Sequence, residues 1–570
     1  MAARLRGLFR RYLEKRYHIL ARLFRVPLAG QEQAQPGSIF IQVDALGHDN
    51  LLTVLKDGYM PHLKALIETG GYTLRRWRCG LPSDTPPVQS GLMYGYNQDP
   101  AGFYWMDKST GRRQNCANPT HVELLEAHIS AEGGPGLLTG GSSYCTILSG
   151  NALRAVFTVS RLNSYHLQNA YGLVGAILFV VFKPQLFFST IAHFLWDMVL
   201  ELSDYVMARI TRRMRRHEGL FPITRAIIST IFRDVATAGA IMDMFCGLPV
   251  TYVSYLGYDI VGHHNGPLSH NAVRTLRGID RAIGRLKAAS RWSRRKYNIY
   301  ILSDHGMNPS VPFQKAYGQP LSAYVASIVG NQVPVDEYDA DRYLGRDHFS
   351  PLNQDVKEVE RHLPRGLAGL VRSVRTFIYH GDSYRSPTGE ERISVIDCSP
   401  IAHIYMHSAP SRLQMPEIER LYPGLVQGLV SHPGIGLLMG LEGSSVVLCS
   451  KGGRAVLGER MEIVGENPLL RFEEPDLVAQ EIRRFALLPR AGDLILFGAF
   501  DGDRVVCFQN QLGAHGSSGG DQSYPFFMHP SDVEADLEQV RTAADMYPIL
   551  RRMTGSSPLQ SPAREKVVAG

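Results

Sequence analysis

Three short apolar runs, each stopping at an aspartate, constrain this chain more than any other feature. Ile39-Phe40-Ile41-Gln42-Val43 stops at Asp44, Val250 to Leu256 leads to Asp259, and Tyr297 to Ser303 runs into Asp304-His305. A run with little polar alternation suits a strand buried on both faces, as in a parallel sheet covered by helices. Between the first two, Met60 to Thr69 has helical spacing and ends at Gly70-Gly71. This order of strands and helices predicts an α/β fold with a mostly parallel central sheet flanked by helices. Ligands of such sheets bind beyond the carboxyl ends of the strands, so the three aspartates should converge there. Three converging carboxylates repel one another unless a cation lies between them. Histidine neighbours favour a transition metal over magnesium. Asp259 and His263 stand four residues apart across Gly262, a spacing able to grip one ion, and His515 lies in the glycine-rich Gly513-Ala-His-Gly.

A second stretch, Leu81-Pro-Ser-Asp-Thr-Pro-Pro-Val-Gln-Ser-Gly91, has Thr85 at its centre. Proline is favoured at the first helical position, so Pro86 and Pro87 predict a helix start with Thr85 as its N-cap. A helix start offers backbone N–H groups to an anion, which would set the Thr85 hydroxyl where a phosphate docks. Alone, the pattern is equally that of an ordinary cap.

Taken together, Asp44, Thr85 before Pro86, Asp259 with His263, Ser-Asp304-His305-Gly-Met and Ala-His515-Gly resemble the type I phosphodiesterase/nucleotide pyrophosphatase family of the alkaline phosphatase superfamily. The resemblance covers roughly residues 38–100, 247–310 and 490–525. It implies an alkaline-phosphatase-like core and two Zn2+ ions, one held by Asp259, His263 and His515. The second is held by Asp44, Asp304, His305 and the Thr85 hydroxyl. It further implies attack by Thr85 on phosphorus, a phosphothreonine intermediate, and backbone N–H groups after Thr85 holding a phosphoryl oxygen. One departure concerns the phosphate-contacting asparagine usual about twenty residues after the nucleophile. Here that region reads Gly102-Phe-Tyr-Trp-Met-Asp-Lys108, and Asn97 comes early. Lys108 is either a substitute or an exposed loop lysine, and Phe103-Tyr104-Trp105 line a pocket or belong to the core. His48, His264 and His270 are expected beside the site or at the surface.

The remaining chain divides, by composition, into several parts. Residues 1–37 form a basic amphipathic helix and linker, with Leu5, Phe9, Tyr12, Ile19 and Leu23 among arginines. Such a helix lies on an anionic membrane or packs on the body with its basic face in water. The catalytic domain spans 38–553, interrupted by a helical, apolar insertion at 100–245 and a second insertion or cap region at 308–490. The latter includes a smaller α+β part with a helix near 417–429. Residues 554–570 read as a disordered tail. Within the first insertion, the apolar stretch 171–200 is broken by Lys183-Pro184 and followed by arginines from Arg209 to Arg216. It is either a cap over the site or a hairpin entering one leaflet. Residues 1–25 lack the features of a secretory signal and basic residues flank the apolar stretch, so the catalytic body is expected at the cytoplasmic face of a membrane. A net charge of +7 over 570 residues does not require nucleic acid, and seven scattered cysteines without a CxxC pair argue against a disulfide framework. The function expected is a two-zinc phosphodiesterase at a membrane surface, acting on phosphate esters that include lipid-like ones. A phosphomonoesterase or transferase with the same nucleophile is the alternative, and an inactive membrane scaffold a further one.

Overall fold

The computed structural model describes residues 2–23, 35–162, 225–330, 333–338 and 392–555, with scattered positions between 188 and 210. The elements that matter for the site are α1 (Ala2–Leu23), β1 (Gly37–Val43), β2 (Tyr72–Arg76), α2 (Thr85–Tyr94), β3 (Ser142–Tyr144) and β4 (Arg154–Val156). They continue with α3 (Arg233–Cys246), β5 (Val250–Tyr255), α4 (Gly257–Asn265), α5 (His270–Ser290), β6 (Tyr297–Leu302) and β7 (Phe526–Pro530).

The central sheet has seven strands in the order β2-β7-β6-β1-β5-β3-β4. β1 pairs in parallel with β5 and β6, β5 with β3, and β3 with β4; β7 alone runs against its neighbours. Period-two alternation sends Ile39, Ile41 and Val43 to one face, against α3 and α5 residues such as Ala240, Leu276 and Ile283. Phe40, Tyr252 and Tyr300 point to the other, into a cluster with Val88 and Leu92 of α2 and Ala543 and Leu550 of the helix Ala543–Met553. Both faces are dry, which is why the strand sequences are apolar throughout. This is the expected α/β core.

Beside it stands an eight-stranded, mostly antiparallel sheet. Its central members are Ile393–Cys398, Ile401–Met406, Leu494–Gly498 and Ile435–Glu442, and it forms the anticipated smaller α+β part. The single helix expected near 417–429 is two, Met415–Leu421 and Leu425–Ser431, separated by Gly424 at φ 80°.

The first insertion is smaller than the sequence implied. β3 and β4 fall inside the range 100–245, yet they belong to the central sheet, β3 paired with β5 and β4 forming its edge. Both are only three residues long, too short to show a hydrophobic period. The second insertion opens with strand Asn308–Pro312, helix Leu321–Val329 and strand Val335–Tyr338. Residues 163–187, 211–224, 339–391 and 556–570 lie outside the described residues, and with them most of the apolar stretch and the tail. No helix among the described residues is long and apolar enough to cross a membrane.

Candidate active site

The three aspartates do converge. Asp44 follows β1, Asp304 follows β6 and Asp259 sits on α4 after β5, all at the carboxyl edge of the sheet. Asp44, Asp304 and His305 are fully buried, and their ligand atoms lie within 4.8 Å of one another. Asp259, His263 and His515 form a second group of the same size. His305 and His515 stack at 3.9 Å between ring centroids and join the two.

Local structure explains each placement. Asp259 and His263 are four apart on α4 and so share a face. Gly262 permits the close packing there, because a Cβ would lie 2.6 Å from the Met307 sulfur. Gly513 is equally constrained, with a Cβ 2.5 Å from the Gly262 carbonyl. That contact lets the His515 loop run against α4, where Leu512 N–H donates to His263 O at 2.8 Å. After β1, Ala45 adopts the left-handed region (φ 60°), and its N–H donates to Asp304 Oδ1 at 3.3 Å. A non-glycine residue in this region is uncommon, and such strain concentrates at functional sites.

Thr85 Oγ1 lies 3.1 Å from His305 Nε2 and 3.4 Å from Asp44 Oδ1, inside the first group. Two local expectations are corrected. Thr85 is the first residue of α2, and its N-cap is Asp84, whose side chain accepts the Thr85 N–H at 2.9 Å. Nor does the helix start offer N–H groups to a phosphate. Pro86 and Pro87 have none, and Val88 N–H is committed to Asp84 O.

The hydrogen bonds of the histidines fix which nitrogen faces inward. His263 Nδ1 donates to Gly513 O at 2.7 Å, His515 Nδ1 to Ser83 O at 3.1 Å, and His305 Nδ1 to Gly306 O at 3.0 Å. Each Nε2 therefore presents a lone pair, the arrangement typical of metal-ligating histidines. His263 Nε2 and His515 Nε2 nevertheless stand 2.9 Å apart, with Asp259 Oδ1 at 3.1 and 3.3 Å from them. Lone pairs so close repel unless a proton or cation lies between. Asp259 Oδ1 and Asp304 Oδ2 are buried without a hydrogen-bond partner. Burial, with the charges of Asp304 and Asp259, pushes the Asp44 carboxyl well above its usual range. Burial also opposes charge on Asp259, but a proton shared by His263 and His515 outweighs it and holds that carboxyl well below its usual range. Burial and the neighbouring His305 and His263 lower His515. The donor set of carboxylate oxygens and imidazole nitrogens thus fits a cation, and a borderline one such as zinc.

Sequence reasoning missed four neighbours. Asp84 groups with His305 and His515 as a possible ligand, and its Oδ2 accepts from Cys398 Sγ at 3.5 Å. Its place beside Thr85 was the available signal. Cys398 and Ser399, at the turn between two strands of the second sheet, gave none. Ser399 has φ 60°, and its Oγ accepts from His515 N–H at 3.4 Å. Ser83 latches the loops together, its N–H donating to Gly516 O at 2.9 Å and its Oγ accepting from Gly516 N–H at 3.1 Å.

Other expected residues are engaged elsewhere. Lys108 is neither an exposed lysine nor a phosphate contact: it is largely buried against Asp493 at 2.9 and 3.0 Å and Ser411 O at 2.7 Å. Asn97 Oδ1 accepts from Arg484 at 2.6 Å. Tyr104 and Trp105 are core, while Phe103 is half-buried with its N–H on Cys398 Sγ. His48 pairs with Asp49 near the surface, and His264 is buried in α4.

A hydroxyl among three carboxylates and three histidines, at the carboxyl edge of a parallel sheet, is an arrangement suited to a phosphoester hydrolase. The chain belongs to the type I phosphodiesterase / nucleotide pyrophosphatase family, whose sequence pattern matches residues 38–367. Among solved structures it is similar to murine ectonucleotide pyrophosphatase/phosphodiesterase 5, an inactive form in complex with AMP. The identity is 12%, the match covers 92% of this chain and 96% of that one, and the TM-score is 0.45. It is also similar to phosphonoacetate hydrolase from Sinorhizobium meliloti 1021 in complex with phosphonoformate, at 14% identity, 92% and 98% coverage and TM-score 0.44. No curated protein sequence matches it.

Proposed function

We propose that this protein is a phosphodiesterase that holds two zinc ions and works through a phosphothreonine at Thr85. The observation that carries the reading is the Thr85 hydroxyl at 3.1 Å from His305 Nε2 and 3.4 Å from Asp44 Oδ1, within one of two adjoining clusters of lone-pair donors. Asp44, Asp304 and His305 would hold one ion, and Asp259, His263 and His515 the other. The ions supply positive charge that makes a threonine alkoxide accessible near neutral pH and stabilises charge on the phosphoryl group. The chain does the rest. Asp84 caps α2 and fixes the Thr85 backbone, while His305 Nε2 and Asp44 Oδ1 are the acceptors facing the hydroxyl. As the bond from Thr85 Oγ to phosphorus forms, the bond from phosphorus to the leaving oxygen breaks, and that oxygen departs with a proton. Water then cleaves the phosphothreonine, returning a proton to Thr85 and releasing a phosphomonoester.

The same reading places the enzyme at the cytoplasmic face of a membrane, on a substrate that includes lipid-like phosphodiesters. The exposed apolar side chains of α1 and of positions 188–210 support the membrane contact alone; the face and the lipid-like substrate are part of the proposal. The test is metal-free protein titrated with Zn2+, followed by acid quench during turnover of a phosphorus-labelled diester. Two equivalents bound and label on the peptide containing Thr85 are expected. Full activity in metal-free protein, or label on another peptide, refutes the reading. Nucleotides, lysophospholipids and sugar phosphates as alternative substrates then rank the leaving groups.

A further inference from the structure

We propose that α1 and the segment around Trp196, almost two hundred residues apart in sequence, form one docking face for an anionic lipid bilayer. The proposal deepens the membrane part of the function above and names the surface that carries it.

α1 has two apolar faces. Leu13, Glu14 and Tyr17 dock it on the body, with Tyr17 stacked on Phe245 at 4.4 Å and His18 Nε2 3.1 Å from Phe245 O. Glu14 is buried there and paired with Arg294. On the opposite side, Leu8, Tyr12 and Ile19 fall in one stripe at four- and seven-residue spacing, and each is more than half exposed. A helix packed on a body needs one apolar face. The second is unexplained by the fold.

The other segment repeats the pattern. At the described helical positions, Thr190 is buried with its hydroxyl on Asp234 at 2.9 Å, and the guanidinium of Arg274 lies over the Trp196 ring. Facing away are Phe188, Leu195, Val199 and Ile210, each more than half exposed, while Trp196 is half-exposed at the edge under Arg274.

Both segments clamp onto α3, and onto the same stripe of it. Asp234 and Phe245 are eleven residues apart, which is three turns, so they share a face of the helix and stand about 16 Å apart. The two apolar surfaces are therefore mounted side by side on one layer. α3 runs opposite to β5, so its Asp234 end lies toward the carboxyl edge of the sheet. There the preceding helical turn meets α4, with Ser229 Oγ 2.9 Å from where a Gly257 Cβ would be. The Trp196 end of the face thus lies toward the site and the α1 end away from it.

Charge selects the occupant. α1 carries seven basic residues and one acid; Arg10 pairs with Glu14 on the docked side, while Arg11 and Lys15 are exposed beside its outer stripe. In the sequence, Arg209, Arg212, Arg213, Arg215 and Arg216 follow the second segment. Apolar side chains rimmed by cations match the interface of a bilayer with anionic headgroups, where both contributions add.

Flotation of the full-length protein with vesicles of phosphatidylglycerol and phosphatidylcholine, against phosphatidylcholine alone, tests this. The wild type is expected to float with the anionic vesicles and to be released by salt. The pair Leu8→Glu/Ile19→Glu and the pair Leu195→Glu/Ile210→Glu should each lower the vesicle-bound fraction by about tenfold. Val464→Glu, an equally exposed position on the second sheet, should float as wild type. Hydrolysis of soluble bis-p-nitrophenyl phosphate should be unchanged in all of them. A wild type that hydrolyses this ester but does not float overturns the docking face and leaves the catalytic reading standing. One that floats but does not hydrolyse does the reverse. Loss of flotation in only one pair overturns the composite face. Light scattering that shows a dimer split by both pairs, with flotation unaltered, makes the face an interface between copies of this chain and also overturns it.

Discussion

Replacing Thr85 with alanine separates chemistry from architecture, because the structure assigns the two to different residues. The helix cap is Asp84, whose carboxylate holds the Thr85 N–H at 2.9 Å, so the Thr85 side chain contributes little to α2. Thr85→Ala removes one buried methyl and one hydroxyl, a cost of about 1 kcal/mol. Its effect on rate is of another order. Removing a nucleophile whose partners act with it as a unit costs at least about a thousandfold, equivalent to about 4 kcal/mol of barrier. Asp84→Ala should show the complementary balance, with about 1–2 kcal/mol lost from stability through the cap. The assay is release of p-nitrophenol from bis-p-nitrophenyl phosphate on zinc-loaded protein, alongside urea unfolding of each variant. Thr85→Ser, which keeps the oxygen, should stay within about tenfold of wild type. If Thr85→Ala keeps more than about a tenth of the wild-type rate, the hydroxyl is not the nucleophile. If it instead unfolds as readily as Asp84→Ala, the assignment of the cap is wrong.

Lys108→Ala should leave the rate per folded molecule near wild type while costing about 3 kcal/mol or more, since it strands the fully buried Asp493; a large fall in kcat with stability intact would make Lys108 a substrate contact after all. Stability should also fall between about pH 6.5 and pH 4. Burial lowers His403 to about 4, so the folded state binds fewer protons than the unfolded one across this window, and stability rises with pH there. His403 Nε2 lies 3.1 Å from Ala101 O, and Gly492 N–H donates to Nδ1, contacts that require the neutral ring. Urea midpoints of His403→Gln should show a shallower dependence over that range, and an unchanged slope would assign the acid sensitivity to other groups. Zinc added to metal-free protein should raise the unfolding temperature, since it relieves the facing lone pairs of His263 and His515. No rise on saturation would mean that those nitrogens share a proton instead.

The sequence determined the parallel core and the ends of its strands. Asp44, Asp259, Asp304 and His305 were readable because each stands at a fixed offset from an apolar run, and such runs are local properties of the chain. His263 was readable from helical spacing, and Thr85 from the prolines that follow it. Only the tertiary structure decided what those residues meet. It gave the cap to Asp84 and spent the Val88 N–H inside the helix, so the first turn has no donor for an anion. It placed Cys398 and Ser399 beside Asp84 and His515, and it turned Lys108 inward to Asp493, 385 residues away. It also drew the short strands β3 and β4 into the central sheet and set Leu13 and Tyr17, not the whole apolar content of α1, against the body. The division has one physical cause. Periodicity and chain stiffness act over a few residues and leave a trace in composition, whereas a hydrogen bond or ion pair between distant segments is fixed by packing and leaves none.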